Sequence, residues 1–156
     1  MPRLEEKKLS KQAIHSKHAP AALGPYSQGI RAGSTVYLSG QVGLDPATGN
    51  LVDGSTEAQA HQVFKNLRAV AQAAGGELDD IVKITLLLAD LADFAKVNEI
   101  MATYFKQPYP ARATYQVVAL PKAARLEVDA ILALTPSTAA PMGTGWRETF
   151  DETKGG

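Results

Sequence analysis

Two charged side chains stand inside otherwise strand-like sequence, and their chemistries are complementary. Arg112 heads a run in which Ala113, Tyr115, Val117 and Ala119 alternate with Thr114, Gln116 and Val118. Glu127 lies in "RLEVDAILAL", where Leu126, Val128, Ala130 and Leu132 share one face and Arg125, Glu127 and Asp129 share the other. A guanidinium presents a rigid fork of donors that suits a carboxylate. The plain alternative is a solvated strand end and a solvated sheet face, where charge usually sits. Pattern alone leaves both readings open.

Other chemistries are excluded or find no support. The 156 residues contain no Cys, which rules out disulfides, thiolate zinc sites and a cysteine nucleophile. The sequence has no Walker loop, no dinucleotide fingerprint and no H-E-x-x-H. His15 and His18 lie in a proline-bounded segment and His61 on a predicted helix, without ligand spacing, so surface or structural roles are expected and no metal. Ser27 and Ser39 neighbour glycines but neither sits in G-x-S-x-G. Sixteen basic residues balance 16 acidic ones, which gives no broad footprint for nucleic acid or an anionic membrane. The longest apolar stretch, Ile84 to Leu88 with Thr85 inside it, falls far short of the ~20 residues of a membrane span. The first twenty residues lack a signal-peptide core, and Glu5-Glu6 are atypical of a transit peptide. These features fit a soluble protein in a reducing, cytoplasmic setting, with a mitochondrial one left open.

The elements that must position Arg112 and Glu127 are well punctuated. Residues 1–10 are charged and expected to be loose. "KQAIHS" reads as a short edge strand, and Pro20, Gly24 and Pro25 forbid regular structure after it. "IRAGSTVYLSGQVGL" predicts two strands folded about Gly33-Ser34, followed by a turn at "DPATGN". A helix opens at Ser55 or Thr56 and ends at Gly75-Gly76, with Ala60, Val63, Phe64, Leu67, Val70, Ala71 and Ala74 on one stripe. "DDIVKITLLLAD" is a mostly buried strand. A second helix runs from Asp90 or Asp93 to about Lys106, stopped by Pro108, and buries Phe94, Val97, Ile100, Met101, Tyr104 and Phe105. Two strands, Arg112–Leu120 and "ARLEVDAILAL", complete the domain at about residue 135. Residues 136–156 form an aperiodic C-terminal extension. The result is one mixed sheet with two helices, most simply on one face. The uncovered face favours oligomerisation.

If "LPKAA" joins the last two strands as a hairpin, Ala119 faces Arg125, Arg112 falls near Leu132 and Glu127 near Val117. Five residues of strand then separate Arg112 from Glu127 by about 16 Å. On that register one chain cannot form a site from both, and a neighbouring subunit would have to bring them together.

Taken together, "GPYSQG", "YLSGQVGLDPATG", "AAGG", "VKITLLLADLADFAKVNEIMATYF" and "YPARATYQVVALPKAARLEVDA" closely resemble the RidA (YjgF/YER057c) family of reactive-intermediate imine deaminases, from about Lys11 to Leu134. The resemblance implies a chorismate-mutase-like α/β fold with a six-stranded sheet, assembled as a homotrimer around a central barrel, with clefts between subunits. It implies hydrolysis of 2-imino acids, tautomers of enamines released by pyridoxal-phosphate enzymes, to 2-keto acids and ammonia without a cofactor. By matching motifs, Arg112 would grip the substrate carboxylate and Glu127 would position or activate water. Tyr26, Ser39, Gly40, Asn98 and Thr114 would line the cleft.

Tyr26 and Asn98 also have ordinary readings, as a loop aromatic and a helix-surface amide. Thr114 stands where many members carry Cys, so direct water attack is expected rather than a thiol mechanism. Two other functions accompany the resemblance: RNA binding with endoribonuclease activity, and a non-catalytic trimer that binds keto acids or acts as a holdase. Neutral net charge and the lack of a basic aromatic platform disfavour nucleic acid.

Overall fold

The computed structural model describes residues 10–135. The expected loose arm, apart from Ser10, and the extension from Pro136 lie outside these residues. Six strands form one sheet in the order β1-β2-β3-β6-β4-β5. They are β1 (Lys11–Ile14), β2 (Gly29–Ala32), β3 (Thr35–Val42), β4 (Ile81–Leu88), β5 (Ala111–Gln116) and β6 (Leu126–Ala133). The pairings are antiparallel except that of β4 with β5.

The β2–β3 hairpin closes at Gly33-Ser34 as expected, with Gly33 at φ 62° supplying the left-handed turn residue. Helix α1 (Thr56–Ala73) is capped by Ser55, whose hydroxyl accepts the Ala58 N–H at 3.1 Å. It ends in a Schellman motif: the Gly76 N–H reaches Ala71 O, the Gly75 N–H reaches Gln72 O, and Gly75 takes φ 88°. Helix α2 (Phe94–Tyr104) follows a short 3₁₀ turn over Leu91–Asp93.

A single core lies between sheet and helices. Phe64, Leu67 and Val70 of α1, and Val97 and Ile100 of α2, meet Val36, Leu38, Ile84, Leu86, Val128 and Leu132 from alternate positions of the strands. The other face of the sheet carries Tyr37, Leu87, Tyr115, Glu127 and Ile131, half-buried or exposed. The mixed six-stranded sheet with two helices therefore matches the expected architecture.

The predicted β5–β6 hairpin is not formed. β4 lies between the two strands, with Ile84 opposite Arg112 on one side and Ala130 on the other. The cause is the β4–α2–β5 unit: a strand returned by a helix docks parallel beside the strand it left. β4, buried or half-buried from Ile84 to Leu88, takes the inner position that its apolar run favours. β5 also stops at Gln116: the Val117 N–H makes one further bond to Leu88 O, and Val118 then projects fully into solvent.

Candidate active site

Arg112 lies on edge strand β5, in register with buried Ile84, and so projects toward the helix layer. There Nη1 donates to Asn98 Oδ1 and lies 3.8 Å from Met101 Sδ. Its guanidinium carbon stands 5.3 Å from the centroid of the Phe94 ring. Phe94, expected in the core, is instead 38% exposed, the first residue of α2 with its ring against Arg112. Arg112, Asn98, Met101, Ala102, Tyr109 and Pro110 line a cleft of 470 Å³. No carboxylate lies within ion-pair distance of Arg112 among the described residues. A solvent-facing guanidinium pre-ordered by an amide and an aromatic ring is suited to receive an external anion.

Glu127 occupies a different place. It pairs with Val42 of β3 and Leu87 of β4 and projects from the open face. Its neighbour is Gly40, in a register irregularity of β3 between Leu38 and Gln41. A Cβ at Gly40 would lie 2.9 Å from Glu127 Cδ and 3.2 Å from Oε1, so the close approach requires glycine. Burial raises the Glu127 carboxyl above its ordinary value, and the charge of nearby Asp129 raises it further. Glu127 makes no side-chain hydrogen bond or ion pair among the described residues. A carboxyl with a raised pKa and no internal partner is available for proton transfer to a bound molecule.

Glu127, Gly40 and Tyr26 line a second cavity of 340 Å³, together with Leu23, Gln41 and Lys122. Its wall is fixed by buried Gln28, whose amide donates to Pro20 O at 2.8 Å and accepts the Ser16 N–H at 2.6 Å. Ser39 does not line the cavity. Its hydroxyl donates to Ser27 O at 2.5 Å and its N–H to Gln28 O at 3.0 Å, which secures the segment carrying Tyr26. Thr114 lies along β5 from Arg112, its buried hydroxyl without a hydrogen-bond partner.

The seven singled-out residues thus fall into two groups. Arg112, Asn98 and Thr114 belong to the β5–α2 edge; Glu127, Gly40 and Tyr26, with Ser39 behind them, belong to the open face. Sequence reasoning passed over Tyr109 and Pro110, just upstream of Ala111-Arg112, and Met101, which was assigned only to the core. Lys122 carried no signal, since its left-handed conformation (φ 58°) is one that Gly or Asn would have advertised. Among the described residues no three His, Asp or Glu side chains gather as a metal site.

A six-stranded sheet backed by two helices defines an α+β protein, with a solvent-facing guanidinium at its edge and a carboxyl of raised pKa on its open face. The chain belongs to the family described as Endoribonuclease L-PSP, whose model matches residues 16–134. It is 50% identical over 128 residues to a 2-iminobutanoate/2-iminopropanoate deaminase of Mus musculus, covering 82% of this chain and 95% of that protein. It is similar to the crystal structure of RidA from the Antarctic bacterium Psychrobacter (TM-score 0.77, 50% identity, 79% of this chain and 99% of that one). It is also similar to E. coli TdcF with bound serine (TM-score 0.75, 37% identity, 80% and 99%).

Proposed function

We propose that this protein is a 2-iminobutanoate/2-iminopropanoate deaminase, hydrolysing 2-imino acids to 2-keto acids and ammonia. Its working form is a chorismate-mutase-like homotrimer with a central barrel, and each cleft joins the Arg112 edge of one subunit to the Glu127 face of the next. One observation carries this reading: Arg112 and Glu127 project from opposite faces of one sheet, so a site using both is complete only with a second copy. The deaminase relatives and the bound serine of a similar structure point to a ligand of this size and charge.

The chemistry follows from the two groups. Arg112 holds the substrate carboxylate. Glu127, ionised, takes a proton from water as the oxygen bonds to the electrophilic imine carbon. The nitrogen gains protons as the carbinolamine forms and collapses; the C–N bond breaks, C=O forms and ammonia leaves. Because a protonated imine is already reactive, orientation and a placed water supply most of the acceleration.

The test is release of ammonia and keto acid from 2-iminobutanoate generated in situ by threonine dehydratase. Acceleration by the wild type that Arg112→Ala loses, with the assembly intact, supports the reading. No acceleration by the wild type overturns it. RNA titration against salt then examines the endoribonuclease alternative, whose signature is affinity that falls steeply with ionic strength.

A further inference from the structure

Arg125 is the last residue before β6 and stands two residues from Glu127, yet neither cavity described above includes it. It is held at four groups, two of the side chain and two of the backbone. Nη2 lies 2.8 Å from Asp93 Oδ2, and Nε donates to Thr56 Oγ1 at 3.3 Å. Its backbone N–H donates to Gln59 Oε1 at 2.8 Å, and its carbonyl accepts the Ala89 N–H at 2.9 Å. Thr56 closes the triangle by donating to Asp93 Oδ2 at 2.8 Å. Gln59 is buried and wedged against Gly43, where a Cβ would fall 2.9 Å from Gln59 Cα.

The first turn of α1, the end of β4 and the start of α2 therefore converge on one residue. As a source of stability this is a poor investment of side chains. The ion pair is part-exposed, with side chains 39% and 24% accessible, and such pairs contribute little. Its effect is geometric. Glu127 has no side-chain hydrogen-bond partner among the described residues, so its carboxyl is placed by the path of β6 between Val42 and Leu87 and by contact with Gly40. Whatever fixes the entry of β6 fixes the carboxyl.

We infer that Arg125, acting through Asp93 and Thr56, is a positioning residue for imine hydrolysis that holds Glu127 over Gly40. Asp93 also precedes α2, whose Asn98 holds Arg112, so the same contact ties the two half-sites of a subunit into one frame. This inference rests on the proposed function for what the carboxyl does, but not for where it sits.

The test compares Arg125→Leu in two backgrounds, using the full chain in its native assembly. In the wild type it should lower kcat about 10- to 100-fold, with KM within about threefold, as expected for loss of orientation. In Glu127→Gln the same change should alter kcat less than about twofold, because the group it positions is already disabled. Arg125→Lys, which retains the charge beside Asp93, should recover most of the rate.

Independently of activity, ¹³C titration of the Glu127 carboxyl should move toward the ordinary glutamate value in Arg125→Leu as water reaches it. Equal kcat losses in both backgrounds overturn the inference. So does an Arg125→Leu protein with wild-type kcat and an unmoved Glu127 titration. If Arg125→Leu does not fold, Thr56→Val removes the second arm of the triangle and is read in the same two ways. A wild type that does not hydrolyse the imine refutes the proposed function, while the titration still decides this inference.

Discussion

Arg112 and Glu127 stand on opposite faces of one sheet, separated by β4 and by three residues of register. Two strand spacings across and three residues along put their backbones roughly 14 Å apart. β4 is buried or half-buried over Ile84–Leu88, the stretch between the two residues, so no side-chain rotation brings the guanidinium through to the carboxyl. The predicted hairpin gave a similar separation for a different reason. The consequence is the same in either geometry: if the pair acts on one ligand, as proposed, it does so across two chains.

That consequence is directly measurable by complementation. In the proposed homotrimer, Arg112→Ala and Glu127→Gln chains should each be inactive on their own. Unfolded together and refolded at equal amounts, they should recover about a quarter of wild-type activity, the share of clefts that receive both intact groups. A mixture as inactive as its parents would place the two residues in separate functions.

Arg112→Ala should cost roughly 2–4 kcal/mol of transition-state binding, about 30- to 1,000-fold in kcat/KM for 2-iminobutanoate. Arg112→Lys should recover only part of this, since an ammonium lacks the fork that grips a carboxylate with two bonds. Asn98→Ala should cost less, about 3- to 10-fold, because Asn98 orders the guanidinium but carries no charge. Steady-state kinetics on the three variants, with circular dichroism to show retained fold, checks the ranking.

Gly40→Ala adds one methyl group where only about 2.9 Å separates its position from Glu127 Cδ. Gly40 itself is exposed, so the fold should survive while the carboxyl is pushed aside. We expect kcat to fall about tenfold or more, in keeping with the cost of a small misplacement at a reacting group. An alanine variant with full activity would show that the carboxyl has slack the reaction tolerates.

The raised Glu127 carboxyl sets a pH dependence of definite sign. A general base must be ionised, so the acid limb of kcat/KM should lie above the ordinary carboxylate range and vanish in Glu127→Gln. Burial is the larger cause and Asp129 the smaller, so Asp129→Asn should lower the limb without abolishing it. Lys122, the cation in the same cavity, should affect it less than Asp129 does. For stability, the folded chain holds a proton on Glu127 over a window where the unfolded chain has released it. This group therefore favours folding below the ordinary glutamate value, and that contribution disappears as pH rises through the raised one. A pH–rate profile of the wild type, Glu127→Gln, Asp129→Asn and Lys122→Met is the measurement.

Much of this protein was determined by local sequence. Ser55, Gly33, Gly75 and Gly76 fixed helix and hairpin ends because capping and positive φ depend on residues only a few positions away. The stripe from Ala60 to Ala74 and the alternation along β6 identified the core faces, since period alone assigns a side chain to a face. Arg112 and Glu127 were conspicuous for the same reason: each is charged where its strand pattern is mostly apolar. The tertiary structure alone decided that β4 separates β5 from β6, because strand order depends on which apolar run wins the inner position of the sheet, a competition among distant segments. It alone placed Phe94 over Arg112, Gly40 beneath Glu127, and Asp93 and Thr56 on Arg125. These contacts join residues up to 87 positions apart, and no local pattern encodes them.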